Sequence, residues 1–498
     1  MKPNRQAKCL SILGTASDVG KSIVTTALCR CFSRKGLTVA PYKAQNMSNN
    51  SGVTPEGLEM GRAQIVQAEA AGIPPHVDMN PVLLKPTSGA GSQLVLMGAA
   101  QDEHVARRYY RKRNALFEIA AAALDRLRRD NDLVVMEGAG SCAEVNLLRT
   151  DFVNLKMAAH AAAPVILVGD IHRGGIFAQL VGTLACLPEK RRSQIAGFIV
   201  NRFRGDIDLF KEGVEWIERE TQRPVFGVLP WYHHISIESE DAVAIENPDA
   251  GAVDDRHVPA IAVVRMPHIS NFTDFDPLDR VENLSLHFME KPRDLKTFKA
   301  VIIPGSKNTR HDLKWLQSLG WTDALKRYAE NGGFILGICG GYQILGRAVH
   351  DPEGIEGEPG SSQGLGLLPV ETVLETPKTT TLTRFSWQGI DGAGYEIHMG
   401  VTAVDGNRQP FEITERNATP CRERDGCVSD NLRIMGSYLH GLFETPAVLR
   451  LWLDTLGLGH LSVPDVGGLE AKNRQYDLLA DHFERHVDLD AVAALVGI

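Results

Sequence analysis

The stretch that most limits the possible folds lies near the N-terminus, where an apolar run, a glycine-containing loop and a helical pattern follow one another. "CLSILG" (9–14) is short and apolar, "GTASDVGKS" (14–22) contains two glycines and a lysine, and "KSIVTTALCRCFSRKG" (21–36) carries apolar residues at helical spacing. The β-like run "LTVAPYKA" (37–44) comes next. A strand, a helix and a second strand in this order predict a parallel βαβ unit, and therefore an α/β fold.

Further apolar runs extend this unit into a doubly wound sheet. In the first part of the chain they are 132–141, 163–171, 195–203 and 224–230. In the second part they are 260–267, 299–306, 333–341 and 431–441. An acidic, irregular stretch at 238–259 separates the two series and is interpreted as a linker. We therefore predict two doubly wound α/β domains, at 1–237 and 260–455, followed by a mainly helical tail at 456–498.

Composition excludes several classes of protein. The chain has 498 residues, which predicts two or three domains, since a domain usually has roughly 50–250 residues. A formal net charge of -8 without a basic block argues against nucleic acid as a partner. No apolar run approaches the roughly 20 residues of a membrane span. Eight cysteines are too few for a disulfide framework in so long a chain, so we expect a cytoplasmic protein with mostly buried thiols.

The loop at 14–22 has the composition of a phosphate-binding loop. Gly14 and Gly20 are separated by five residues, one more than in the usual pattern G-x-x-x-x-G-K-[ST]. Glycines let backbone N–H groups face an anion, and the helix N-terminus adds positive potential. Lys21 is predicted to reach the β- and γ-phosphates of a nucleotide, and the Ser22 hydroxyl to hold Mg²⁺. An ordinary turn with a chance lysine is the alternative, and it fits the succession of strand, loop and helix less well.

Two more residues are assigned to the same edge of the sheet. Glu137 ends a predicted buried strand, where open α/β sheets bind ligands, and a carboxylate there can hold Mg²⁺ on the nucleotide. A capping role for Glu137 is the alternative. Lys43 follows the second strand and is a candidate for binding phosphate or a substrate carboxylate, although a solvated surface lysine is about as consistent with its position.

Several segments of this domain resemble known families. The nine-residue loop is similar to that of dethiobiotin synthetase-type ATPases, which use ATP to activate a carboxylate. The runs "YKAQNMSNNSGVTPEG" (42–57), "GRAQIVQAEAAGIPPHVDMNPVLLKPTS" (61–88) and "PHISNFTDFDPL" (267–278) resemble a narrower family, the cobyric acid synthases. These runs are long and unusual in composition, and the resemblance extends over nearly the whole chain.

A single cysteine occupies the turn between a strand and a helix in the second series. "GFILGICGGYQILG" (333–346) places Cys339 after an apolar run and before two glycines. This pattern is typical of a nucleophile elbow, in which a strained turn lifts the reactive side chain out of the sheet. The following helix N-terminus favours a thiolate, and the N–H group of Gly340 is predicted to donate to an oxyanion. A buried structural cysteine, the alternative, fits a glycine-flanked corner poorly.

A thiolate nucleophile requires a base, and His440 is the candidate. It follows an apolar run in "GSYLHGLFE" (436–444), at the predicted end of a strand on the same sheet edge as Cys339. The N–H group of Gly305, in the turn "PGSKNT" (304–309), is the second candidate oxyanion donor. Together these residues resemble a class I glutamine amidotransferase domain, in which the thiolate attacks the side-chain amide of glutamine and ammonia leaves.

One position departs from the commoner pattern of that class. Most members have a glutamate two residues after the histidine, whereas this chain has Leu442. The cobyric and cobyrinic acid synthases share that absence, so the departure favours the narrower resemblance. Glu396 and Glu444 are candidates for orienting His440, and both are also consistent with ordinary structural roles.

The resemblance implies an ATP-dependent amide synthesis. ATP would convert a carboxylate into an acyl phosphate, and ammonia from glutamine would displace the phosphate. The implied substrate is adenosylcobyrinic acid a,c-diamide, amidated at its b, d, e and g carboxylates, with ATP and Mg²⁺ as cofactors. Asn46, in the polar segment 44–51, and Lys43 are predicted to contact this substrate. We expect small-molecule partners, no nucleic acid and no membrane, and leave a homo-oligomer open.

Two other functions stay open at this point. A regulatory ATPase of the partition type would carry a decayed second domain, but such proteins usually have an extra lysine where this chain has Ala16, and they need neither Cys339 nor His440. A related amidase would act on another carboxylate, such as cobyrinic acid at a and c or a cell-wall precursor. The run at 267–278 favours the cobyric acid synthases over this second alternative.

Overall fold

The apolar runs of the N-terminal half form a six-stranded sheet in the computed structural model, which describes residues 6–87, 91–101, 113–232, 234–238, 258–406 and 408–498. Across the sheet the strands are ordered Val225–Pro230, Ile195–Phe203, Val165–Asp170, Lys8–Gly14, Leu133–Glu137 and Val39–Tyr42. Every neighbouring pair is parallel. The strands at the centre are buried on both faces, as is typical of a sheet covered by helices on each side.

Seven described α-helices accompany this sheet: Lys21–Arg34, Arg62–Ala71, Arg113–Asp130, Leu155–His160, Ile176–Cys186, Glu189–Arg192 and Lys211–Thr221. The first of them begins directly after Gly20, and its apolar residues pack in one core with Leu10 and Ile12 of the strand before it. Strand, loop and helix are therefore contiguous, and the loop lies at the carboxyl edge of the sheet, where ligands bind in this class of fold.

Short strands interrupt the N-terminal domain between its second strand and residue 100. A four-stranded sheet contains Gln45–Met47, Val82–Pro86, Ser92–Leu96 and Ala99–Ala100, and a two-stranded sheet pairs Ser51–Val53 with Glu59–Gly61. Half of the polar segment 44–51 is therefore strand, and backbone pairing holds Asn46 in place.

The C-terminal half repeats the parallel arrangement. Its sheet is ordered Ser285–Met289, Ala260–Val264, Ala300–Ile303, Phe334–Ile338, Ile434–Ser437 and Cys427–Val428, and the last pair is antiparallel. The helices of this part are Asp276–Asp279, Thr309–Ser318, Trp321–Glu330, Gly340–Leu345 and Pro446–Thr455. Two doubly wound domains are thus confirmed.

An additional sheet lies between the cysteine turn and the strand that precedes the histidine. It contains Gly360–Gln363, Ala348–Asp351, Val370–Trp387, Phe411–Arg416 and Thr419–Asp425, and Ile390–Val404 pairs with Val370–Trp387. The sequence analysis did not predict it. Because the strands lie at a surface and alternate buried with exposed residues, they lack the continuous apolar runs that identified the parallel strands.

The last two helices of the C-terminal tail pack against the N-terminal domain. These helices are Gly468–His486 and Leu489–Val496, and their apolar residues share a core with the helix after the phosphate loop. Among the described helices, none combines the length and apolar composition of a membrane span. The proposed linker lies outside the described residues over 239–257, as does His233.

Candidate active sites

Cys339 lies at the junction between the strand Phe334–Ile338 and the helix Gly340–Leu345. Its φ of 53° and ψ of -108° are strained for a residue that carries a side chain. Backbone pairing with the neighbouring strand holds this conformation, since the N–H group of Cys339 donates to the carbonyl oxygen of Ser437 at 2.8 Å. The cysteine therefore has the geometry of a nucleophile elbow.

His440 follows that neighbouring strand, and Asp274 holds its imidazole. Nδ1 of His440 donates to Oδ2 of Asp274 at 2.6 Å, and the N–H group of Gly441 donates to Oδ1 at 2.9 Å. Burial lowers the pKa of His440, but the Asp274 carboxylate and hydrogen-bonded Cys339 outweigh it and raise this pKa from 6.5 to about 10. The positively charged form of the His440 ring therefore lies next to the nucleophile of the elbow.

Two other residues fix the plane of the His440 ring. The ring of Tyr395 stacks on it, with centroids 5.2 Å apart and planes inclined by 18°. The same two residues exchange backbone hydrogen bonds of 2.8 and 3.1 Å. Nδ2 of Asn271 lies 3.4 Å from Nε2 of His440. Rotation of the ring would therefore break a stacking contact as well as the bond to Asp274.

The orienting acid is thus Asp274, and neither glutamate considered from the sequence takes this place. Glu396 is 3.0 Å from Arg416, with which it forms an ion pair. Glu444 lies 3.5 Å from Lys472. Both glutamates face basic side chains other than His440, so the prediction that one of them orients the histidine is wrong.

The position two residues after the histidine is apolar because it belongs to the core. Leu442 is 1% exposed and packs in the hydrophobic core of the C-terminal domain. The acid comes instead from "FTDF" (272–275), a 3₁₀ turn that precedes the helix Asp276–Asp279. The run that contains this turn carried only the family resemblance. An acid between two aromatic residues was nevertheless a signal for a buried carboxylate.

The two predicted oxyanion donors lie close to the elbow and the histidine. A Cβ atom on Gly340 would lie 2.7 Å from the backbone nitrogen of Ser306. A Cβ atom on Gly305 would lie 3.1 Å from Cε1 of His440. Both positions are therefore too crowded for a side chain, and the turn at 305–306 packs directly on the elbow. Their role as donors stays a prediction.

The phosphate loop has glycines where no side chain fits. A Cβ atom on Gly14 would lie 2.8 Å from the carbonyl oxygen of Ala16. Gly20 has a φ of 95°, and a Cβ atom there would lie 2.0 Å from Nδ2 of Asn201. The crowding at Gly20 comes from a strand far along the chain, so the loop is shaped by the sheet as well as by its own sequence.

Lys21 folds back over this loop. Its Nζ donates to the carbonyl oxygens of Ala16 and Gly140 at 3.0 and 3.1 Å. The second of these acceptors belongs to "GAGS" (138–141), directly after the strand that ends at Glu137. The amine therefore lies between the loop and the neighbouring strand end, as expected for a lysine that binds phosphate.

Glu137 is the centre of a buried polar cluster beside the loop. Its carboxylate accepts hydrogen bonds from Ser22 Oγ at 2.9 Å, from Lys43 Nζ at 2.9 Å and from Gln67 Nε2 at 2.5 Å. The structure therefore brings together three residues that the sequence assigned separately. An oxygen pair formed by a hydroxyl and a carboxylate is the donor set that Mg²⁺ prefers, so these residues fit the ion.

Asn46, the other predicted substrate residue, is buried. Its Nδ2 donates to Oε1 of Gln64 at 3.0 Å, and its Oδ1 accepts from the N–H group of Met47. Its assignment to the substrate stays a prediction.

An ion-pair network next to the phosphate loop was missed. Arg202 lies 3.0 Å from Asp170, which ends the strand beside the loop strand, and 3.0 Å from Asp18 of the loop itself. An acid at the end of the run "VILVGD" (165–170) was the available signal for Asp170.

Contacts between the two domains converge next to the cysteine. Glu59 of the N-terminal domain is 2.7 Å from Lys85 and 2.6 Å from Lys378 of the antiparallel sheet. The N–H group of Ser51 donates to Oδ1 of Asn271 at 3.0 Å, and the amide of that asparagine also faces the histidine ring. Buried polar contacts therefore join the N-terminal domain to the cysteine site.

Comparison with known proteins gives the same division of the chain. Residues 10–243 match the CobQ/CobB/MinD/ParA nucleotide binding domain, and residues 260–448 match the CobB/CobQ-like glutamine amidotransferase domain. The cobyric acid synthase of Chlorobaculum tepidum is 49% identical, with 98% of each chain covered. Those of Chloroflexus aurantiacus and Syntrophobacter fumaroxidans are 46% and 44% identical, over 96% and 99% of each chain. The chain belongs to the cobyric acid synthase family.

Proposed function

We propose that the protein is an ATP-dependent, glutamine-hydrolysing amide synthase that converts adenosylcobyrinic acid a,c-diamide into adenosylcobyric acid. The observation that carries the proposal is the presence of two sites on one chain. Asp274 holds His440 by a hydrogen bond next to Cys339 in one domain, and Lys21 lies over a phosphate loop in the other. The relatives that share both domains over their full length are named cobyric acid synthases.

The first reaction in this proposal is the release of ammonia from glutamine. The Cys339 thiolate attacks the side-chain carbonyl carbon, and the N–H groups of Gly340 and Gly305 stabilise the oxyanion. His440 gives its proton to the departing nitrogen, so that ammonia leaves and a thioester remains. Water then hydrolyses the thioester to glutamate, and His440 takes up the proton of the attacking water. Asp274 positions the ring throughout.

The second reaction consumes that ammonia. A carboxylate oxygen of the corrin attacks the γ-phosphorus of ATP, which gives an acyl phosphate and ADP, and ammonia then displaces the phosphate to form the amide. Lys21 and the loop N–H groups neutralise the charge on the phosphates. Ser22 and Glu137 would hold Mg²⁺, which supplies further neutralisation of phosphate charge when bound. Lys43, already paired with Glu137, is near enough to this cluster to contact phosphate or the substrate carboxylate.

Two variants separate the halves of the proposal. Cys339→Ser should abolish amide synthesis from glutamine while a high concentration of ammonia still supports it. Lys21→Met should abolish synthesis from both nitrogen sources and leave the release of glutamate from glutamine in place. Equal loss of both syntheses in Cys339→Ser would contradict the division of labour.

The substrate is tested by mass spectrometry of the corrin after incubation with ATP, Mg²⁺ and glutamine. Four successive mass steps, each the replacement of one hydroxyl by an amino group, are expected for the a,c-diamide. No mass change with this substrate, but two steps with cobyrinic acid, would assign the protein to the related a,c-diamide synthesis instead.

A further inference from the structure

The cavity next to Cys339 contains charged side chains that the reaction above does not use. Its lining includes Cys339, Gly340, Lys307 and Glu356, together with Lys378 from the antiparallel sheet. Glutamine has to enter here if Cys339 attacks its amide, and it is a zwitterion with a carboxylate and an ammonium group on its α-carbon. The charges of the cavity therefore bear on how the substrate is recognised.

Lys307 forms no direct ion pair with any residue that the structure describes, although Glu356 lies in the same cavity. Its backbone N–H group donates to the carbonyl oxygen of His268, but its ammonium group has no hydrogen bond or ion pair with any residue that the structure describes. Burial and the positive charge of Lys378 lower the pKa of Lys307, and the negative charges of Glu356 and Glu59 offset them only in part. An anion in the cavity would remove this cost.

Glu356 is the matching anion. Its carboxylate accepts a hydrogen bond of 3.1 Å from the backbone N–H group of Arg310. In the described part of the chain it forms no ion pair with a basic side chain. Burial raises the pKa of Glu356 to about 7, against the opposing effects of Lys307 and the Arg310 N–H group. The carboxylate thus has one hydrogen bond where a charged, desolvated carboxylate usually has several.

The two other lysines in the lining are already paired. Lys85 and Lys378 contact the two carboxylate oxygens of Glu59, and Lys85 also donates to Ser51 Oγ at 2.8 Å. Their charges hold the domain interface together. Among the described lining residues, this leaves Lys307 and Glu356 as the charged pair available to a ligand.

We infer that Lys307 and Glu356 form the subsite for the α-amino-acid group of glutamine, with Lys307 binding the α-carboxylate and Glu356 the α-ammonium group. This inference rests on the proposed glutaminase activity of Cys339. It goes beyond that activity by naming the two contacts that would select a free amino acid over other primary amides. Each contact pairs a cavity charge that has no direct ion pair with the opposite charge of the ligand.

The test uses two smaller analogues, so that steric exclusion does not interfere. Glutaramate lacks the α-amino group of glutamine, and 4-aminobutyramide lacks the α-carboxylate. The parent protein should hydrolyse each with a kcat/KM at least about tenfold below that for glutamine, because each analogue leaves one charge of the cavity without its partner. Glu356→Gln should remove most of the penalty for glutaramate only. Lys307→Met should remove most of the penalty for 4-aminobutyramide only.

Controls separate a binding role from a structural one. Glu356→Asp and Lys307→Arg should keep both penalties, and the ammonia-supported synthesis of all four variants should equal that of the parent. A parent protein that hydrolyses either analogue as well as glutamine would overturn the inference without any variant. The inference would be overturned as well if Glu356→Gln or Lys307→Met changed the penalties for the two analogues equally. Failure of the parent to hydrolyse glutamine at all would instead refute the proposed function.

Discussion

Replacing Asp274 by asparagine tests the role of this carboxylate most directly. The substitution keeps the size of the side chain and removes its charge. The rise in the pKa of His440 from 6.5 to about 10 corresponds to about 5 kcal/mol in favour of the imidazolium, at about 1.4 kcal/mol for each pH unit. Since both side chains are almost fully buried, solvent does not weaken this interaction much.

Without the Asp274 charge, the pKa of His440 should fall, because burial lowers it and only Cys339 still opposes that effect. The ring would then lose its proton at a lower pH than in the parent, and with it the positive charge next to the Cys339 sulfur. We expect the kcat for glutamate release to fall by about 10²- to 10⁴-fold. The alkaline limb of the pH profile should move to lower pH, which loss of fold alone would not produce.

The assay measures glutamate release from pH 6 to 10 and, in parallel, amide synthesis from ammonia. Ammonia-supported synthesis should be unchanged, because it bypasses the glutaminase. Asp279→Asn, at an exposed position in the following helix, is the matched control. Glutamate release by Asp274→Asn within about threefold of the parent, with an unmoved pH profile, would refute the reasoning.

The same ion pair makes stability depend on pH. The folded-state pKa of His440 lies above its ordinary value of 6.5. The stabilisation is therefore fully present below about pH 6.5 and is lost as the pH rises through about 10. The difference in the free energy of unfolding between the parent and Asp274→Asn should shrink over that range.

Three other substitutions test the domain interface and the phosphate loop. Lys378→Met leaves the buried carboxylate of Glu59 with one lysine partner fewer, so the free energy of unfolding in urea should fall. The loss should be smaller than the about 3–5 kcal/mol that is lost when a buried charge keeps no partner. An unchanged free energy of unfolding would contradict a buried ion pair. Burial raises the pKa of Asp276 from 3.8 to about 8, so the parent loses stability as the pH rises from about 4 to 8. In thermal unfolding, Asp276→Asn should therefore become more stable relative to the parent over that range. Gly20→Ala places a methyl group 2.0 Å from Nδ2 of Asn201 at a φ of 95°, so ATP binding measured by calorimetry should be lost while glutamine hydrolysis continues.

Much of the fold follows from local sequence. Most parallel strands of the two main sheets are continuous apolar runs, because both faces of such a strand are buried, and each predicted run coincides with a strand in the structure. The edge strand Ser285–Met289 is half-buried and was not predicted. The antiparallel sheet between residues 348 and 425 was missed for the opposite reason. Its longest strand, Val370–Trp387, has exposed polar residues at alternate positions and a threonine-rich middle. Such a pattern is as typical of a loop as of a strand.

The candidate sites divide in a similar way. Gly14, Lys21 and Cys339 are found from sequence because a phosphate loop and a nucleophile elbow are built from consecutive residues. Asp274 was not found, because 166 residues separate it from His440 and no periodicity connects the two positions. The pair formed by Glu137 and Lys43 likewise required two strand ends to meet at one edge of the sheet.

The sequence by itself determines the succession of strands, loops and helices, and with it the α/β class, the phosphate loop and the nucleophile. These depend on the burial pattern and conformational freedom of neighbouring residues. Tertiary structure alone decides which acid orients His440 and which charges in the cavity lack a partner. Both are properties of side chains from distant segments brought together in a low-dielectric interior, where an unmatched charge is costly and a matched one fixes a proton.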